Sequence, residues 1–153
     1  MQVISLTEQD ISKFFTEDPK LCYLGLPDED LVSLYQHEEL LWSQTSQVFG
    51  ITENDKLVSI VKWEYFTKNT INLHMYVGTA FQGKKSLDIA NFVKEYLRDN
   101  TKYLKVLLMV PSTCEHVTNF AKYFGFELEG NITKSYTWRN TLVDILIFSF
   151  YLR

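Results

Sequence analysis

The sequence predicts a mixed α/β domain on one central sheet of about seven strands, and three observations carry that expectation. Stretches that alternate apolar and polar residues, or run apolar for a few positions, recur between stretches with helical spacing. One of them, Leu104–Val110, is nearly all apolar, as a strand covered on both faces must be. The chain has 153 residues, which suits one domain over residues 1–153 and is short for two cores.

Gln2–Leu6 reads as a short strand. Thr7 follows as the cap of a helix over Glu8–Phe15, with Asp10 at the capping-box position. Pro27-Asp28 opens a second helix, with Leu31, Leu34 and Tyr35 at helical spacing and acidic residues in its first turn. Gln47–Asn54 and Lys56–Phe66 are strands joined by a turn within Thr52–Lys56, so they form a hairpin. Thr70–Gly78 is a further strand, and a helix follows from about Ser86 to Asp99, with Ile89, Phe92, Val93, Tyr96 and Leu97 on one face. After Leu104–Val110 comes the helix Cys114–Phe124, stopped by Gly125. Phe126–Trp138 and Thr141–Leu152 close the chain as two long strands around a turn at Arg139-Asn140. The predicted order is β-α-α-β-β-β-α-β-α-β-β.

Bulk composition excludes several classes of function. The chain is 46% hydrophobic and 15% aromatic, which argues against disorder. A net charge of −4 offers no electrostatic reason to expect a nucleic-acid partner. The two cysteines, Cys22 and Cys114, stand far apart without ligand-like neighbours, so no metal is expected and the thiols suit a reduced cytoplasm. The polar, acidic opening does not resemble a signal peptide. The longest apolar run, Leu142–Phe150, suits a buried strand rather than a membrane span.

The segment Thr79–Asp88 joins a strand to a helix through a short polar turn. Such a turn presents backbone N–H groups, at the positive end of the helix, to a phosphate. It holds one glycine, Gly83, with Lys84 and Lys85 beside it. The functional reading is a phosphate site made by the N–H groups of Gly83–Ser86, assisted by the two lysines. The bland reading is a solvated turn with Ser86 as a plain N-cap.

The element order, this loop after the fourth strand, and the Gly125-Phe126 turn after the last helix resemble the GNAT superfamily of acetyl-CoA-dependent N-acetyltransferases. The resemblance spans nearly the whole chain. In that family the loop has the form Arg/Gln-x-x-Gly-x-Gly/Ala and holds the coenzyme A pyrophosphate. Gln82 falls on its first position, whereas Lys85 and Leu87 occupy the positions of the two small residues. A side chain at either would lie in the ligand's way and would be strained at a positive φ. The segment Ala121–Gly130 resembles the family's Tyr-x-x-x-Gly-Phe-x-x-x-Gly, with Ala121 where a tyrosine often protonates the departing thiolate. A degenerate GNAT-like protein of a tailed phage, acting in head assembly or genome delivery, is the second reading; it would sit in the host cytoplasm.

The resemblance implies acetyl-CoA as co-substrate, the Val77 backbone orienting the acetyl carbonyl, and Gln82, Gly83, Lys84, Lys85 and Ser86 holding the pyrophosphate. Catalytic candidates are Glu64 and His74, since a carboxylate or a histidine near the central strands would take the proton of an acceptor amine. Each also has a structural reading, because Asn72, His74 and Tyr76 alternate with Leu73, Met75 and Val77 and make one strand face polar. Tyr123, beside Phe120 and Phe124, reads as an aromatic packing residue, and Trp42, Trp63 and Trp138 read as core or interface anchors. Lys85, Leu87 and Ala121 together predict weak or absent acetyl transfer. The closing strand, apolar on both faces around Phe148 and Phe150, is either buried between sheet and helices or, where a face stays exposed, the surface for a homodimer or an assembly partner.

Overall fold

A computed structural model describes residues 1–18, 46–138 and 140–153. The helix expected from Asp28, together with Cys22, Trp42 and Arg139, lies outside the described residues. In chain order the elements are β1 (Gln2–Ile4), α1 (Glu8–Glu17), β2 (Ser46–Glu53), β3 (Lys56–Thr67), β4 (Thr70–Val77), a 3-10 turn (Thr79–Phe81), α2 (Lys84–Asn100), β5 (Lys105–Pro111), α3 (Glu115–Phe124), β6 (Glu127–Trp138) and β7 (Thr141–Tyr151). The strands form one seven-stranded sheet in the order β1-β2-β3-β4-β5-β7-β6. Among the described residues only β4 and β5 pair parallel; every other neighbouring pair is antiparallel.

Local chemistry explains the turns. At the β2–β3 hairpin Asn54 and Asp55 take φ of 51° and 62°, the left-handed pair that a tight two-residue turn requires and that Asn and Asp tolerate best. Thr7 caps α1 as expected: its Oγ1 accepts from Asp10 N–H at 3.2 Å, and Asp10 Oδ2 accepts from Thr7 N–H at 2.8 Å. Thr7→Ala should therefore lower stability by about 1 kcal/mol in urea unfolding. A change below a few tenths would mean the box does not hold the helix start.

The start of α2 differs from expectation. The helix begins at Lys84, and Gly83, at φ 80°, is its N-cap. Ser86 is not the cap; its hydroxyl turns back and donates to Gly83 O at 2.6 Å. At φ 80° and ψ −131° a side chain would be strained, so the turn is anchored at Gly83. Lys85 and Leu87 already lie inside α2, where φ is negative, so the strain expected at those two positions does not arise.

Each face of the sheet has its own cover. On one side Leu6, Ile11 and Phe14, from and around α1, pack on Ile60 and Tyr76. On the other, Ile89, Val93 and Leu97 of α2 and Ala121 of α3 join Phe49, Val61, Trp63, Ile71, Val106 and Phe148 in the main core. Arg153, at the end of the chain, donates to the carbonyls of Arg98 and Thr101 and so satisfies acceptors at the C-terminus of α2.

Phe148 is fully buried and Ser149 only 2% exposed, so the centre of β7 belongs to this chain's own core. Of the two readings of the closing strand, burial holds at Phe148, where α2 and α3 cover that face. Exposed apolar side chains occur instead toward β6 and the start of β7, at Leu128, Ile132 and Leu142.

Candidate functional site

The site begins where the sheet parts. β4 and β5 pair only at Thr70–Lys105, Ile71–Val106 and Asn72–Leu107, after which the strands diverge. The opening is a cleft of about 180 Å³ under α2 and α3. Leu73, Met75, Val77, Leu108 and Val110 form its strand walls, Ala90 and Val93 its roof, and Val117, Phe120, Phe124 and Phe150 its far side. Gln82 and Ser86 line it at the loop end, and His74 borders it on β4.

At the mouth, the N-terminus of α2 carries no side-chain cap, because Gly83 has none to offer. Its first amide groups therefore point a partial positive charge toward an anion. The loop is tied from behind: Asp18, at the end of α1, accepts from Thr79 N–H at 2.6 Å and from Thr79 Oγ1 at 2.7 Å. Lys85 Nζ does not point at the turn but bonds Glu53 Oε2 at 2.7 Å. That bond, and then the lysine charge, holds the Glu53 carboxyl below its usual range.

A second polar group lies on β3 and β4. Lys62 sits opposite His74 in the register and Glu64 opposite Asn72. Lys62 Nζ meets Glu64 Oε1 at 2.6 Å, and Glu64 Oε2 lies 3.7 Å from His74 Nε2. Asn72 Nδ2 is 3.1 Å from the same ring nitrogen. The polar strand face expected to meet water is in fact largely covered, with the His74 side chain 15% exposed and Lys62 only 8%. Charged groups tolerate such burial when they pair with one another.

Their titration follows from that pairing. Burial is the largest influence on His74 and drives its pKa down; the Glu64 charge opposes this and the Lys62 charge adds to it, leaving His74 below its ordinary 6.5. Burial pushes Glu64 up, but the hydrogen bond and charge of Lys62, with His74 behind them, outweigh it and keep the carboxyl below its usual range. At neutral pH the histidine is thus mostly uncharged, while Glu64 remains a carboxylate.

Val77, Gln82 and Ser86 therefore line one cleft, and His74 borders it from the strand face that it shares with Tyr76 and Lys62; Glu64 stands beside His74, and Gly83, Lys84 and Lys85 lie at the loop outside the cleft wall. Sequence reasoning missed Lys62, Asn72 and Glu53, whose importance depends on which strand residue faces which. On α3, Ala121 is fully buried and its carbonyl accepts from Phe126 N–H at 2.9 Å. Tyr123 is 79% exposed, so it is neither a packing residue nor aimed at the cleft. Cys114, buried at the N-cap of α3, has the environment of a structural thiol. Among the described residues no cluster of His, Cys, Asp or Glu is arranged for a metal ion, and no helix is long and apolar enough to cross a membrane.

A parallel strand pair that parts beside an uncapped helix N-terminus makes an α/β domain with an open seam and an exposed helix start. The chain belongs to the GNAT acetyltransferase family: the model of the acetyltransferase (GNAT) domain matches residues 7–147. No curated protein sequence matches the chain. Among solved structures it is similar to a chimera of the Vibrio cholerae spermidine N-acetyltransferase SpeG and hSSAT, at 16% identity and TM-score 0.75, covering 99% of this chain and 95% of that one. SpeG of Vibrio cholerae in complex with manganese ions matches at 15% identity and TM-score 0.71, over 99% and 92%. The protein smu.2055 from Streptococcus mutans UA159 matches over the full length of both chains, at 17% identity and TM-score 0.71. At these identities the likeness is one of fold.

Proposed function

We infer that the chain transfers an acetyl group from acetyl-CoA to a primary amine. The observation that carries this reading is the parting of β4 from β5 after Asn72, beside the uncapped start of α2. Apolar strand walls fit the uncharged arm of the coenzyme, and the N–H groups of Gly83, Lys84 and Lys85 fit its pyrophosphate, the Ser86 N–H being already given to Gly83 O at 3.1 Å. When bound, acetyl-CoA supplies an activated acyl carbon. The backbone at Val77 orients the carbonyl, and neutral His74 takes the proton released as the amine nitrogen bonds to that carbon. Glu64 then stabilises the charged imidazole. The C–S bond breaks and the thiolate takes a proton from water, since Ala121 has none to give. A role in particle assembly draws no support from the fold or from the comparisons.

Titration calorimetry with acetyl-CoA, followed by thiol release over a panel of primary amines, tests the reading. Spermidine heads the panel because two of the similar structures are described as spermidine N-acetyltransferases. Saturable 1:1 binding with amine-dependent thiol release is the expected result. No binding at millimolar acetyl-CoA would overturn the reading. Binding without turnover on any amine would leave a coenzyme-binding protein and remove the enzyme.

A further inference from the structure

Outside the cleft, the loop carries a charge arrangement in which Lys85, beside the expected phosphate site, is held by a carboxylate instead. Lys85 is the second residue of α2, so its ammonium belongs beside any anion held at that helix start. Its Nζ nevertheless bonds Glu53 Oε2 at 2.7 Å, at the end of β2. The same lysine lies 5.5 Å from the centre of the Phe81 ring, and Lys56 Nζ reaches that ring at the same distance. Lys56 is also the register partner of Glu53 across the hairpin. One carboxylate therefore has two lysines within reach, one currently bonded to it and the other waiting on the adjoining ring.

We propose that Glu53 is the resting counter-ion of Lys85, and that Lys56 replaces Lys85 on Glu53 when a diphosphate group binds at the start of α2. This rests on the coenzyme reading above and adds an affinity-setting residue to it. Three considerations favour the exchange. A carboxylate beside a doubly charged diphosphate repels it unless neutralised. A single lysine cannot hold both anions at bonding distance without dividing its charge. Lys56 is placed to take Glu53 without moving the backbone, because its strand partner is Glu53 itself. Both side chains of the existing bond reach solvent, at 55% exposure for Lys85 and 29% for Glu53, so the exchange breaks no core contact.

The exchange makes three predictions that a static bond does not. Coenzyme A is titrated calorimetrically at low salt, where surface charges are least screened. Glu53→Gln should bind about three- to fivefold more tightly than wild type, the range that exposed pairs support. That gain should fall below about twofold when Lys85 is already methionine, because no lysine remains to be released. Lys56→Met should weaken binding about twofold with Glu53 present and leave it unchanged in the Glu53→Gln protein. Thermal melts of all variants confirm that each is folded. Equal affinity of Glu53→Gln and wild type overturns the proposal while leaving coenzyme binding intact. So does a gain that persists undiminished without Lys85, because Glu53 would then act on the ligand directly. If no variant binds coenzyme A, the coenzyme reading itself fails and the exchange falls with it.

Discussion

His74→Gln should lower turnover about 100-fold or more at neutral pH while leaving acetyl-CoA affinity within about twofold. The amide keeps the size and polarity of the ring but cannot take a proton. The pH profile of the wild type carries a sign that follows from the site. A base must be neutral to act, and burial holds His74 below 6.5, so the acid limb of the rate should have its midpoint on the acid side of 6.5. Glu64 is the chief influence raising that pKa; Glu64→Gln should move the midpoint to lower pH and slow the step, with coenzyme affinity unchanged. A midpoint above 6.5, or a His74→Gln enzyme within tenfold of wild type, would remove His74 as the base.

Phe148→Ala should cost about 3–5 kcal/mol in urea unfolding. The ring is fully buried between the sheet and its helices, opposite Leu108 on β5 and Leu128 on β6. Against the roughly 5–15 kcal/mol that holds an ordinary domain together, the loss leaves a marginal protein. Phe150→Ala should be milder, roughly 1–3 kcal/mol, because that ring is half-buried at the cleft wall with Lys94 Nζ 4.2 Å from its centre. Light scattering separates packing from association. A Phe148→Ala protein that stays fully stable but loses an oligomer would restore β7 as a contact surface.

What the sequence revealed, and what it hid, divides along a physical line. Strand and helix identity were legible because they depend on local periodicity: the run Leu104–Val110 and the face Ile89, Val93, Leu97 carry their environment with them. Thr7 with Asp10 showed the start of α1, and Gly125 the end of α3. Lys62, Glu64, Asn72 and His74 were not legible as a group. Their meeting depends on a β3–β4 register that local pattern does not set, and alternation alone suggested a face open to water. The loop was misread for a related reason. The family resemblance singled out Lys85 and Leu87, but only the backbone shows that the positive φ falls on Gly83 and that the helix has begun before Lys85.

The short contact between β4 and β5 also bears on how the molecule moves. With only three residue pairs between those strands, the sheet is in effect two wings, β1 to β4 and β5 with β7 and β6, joined at a narrow seam and spanned by α2. Backbone amides from Leu73 to Val77 that face the seam have no strand partner there. They should exchange with deuterium faster than the amides of β3, which is paired on both sides. A ligand lying in the seam would bridge the wings, so acetyl-CoA should slow exchange on β4 and on the facing part of β5 together. The molecule would then gain stiffness across its middle at the moment its substrate arrives.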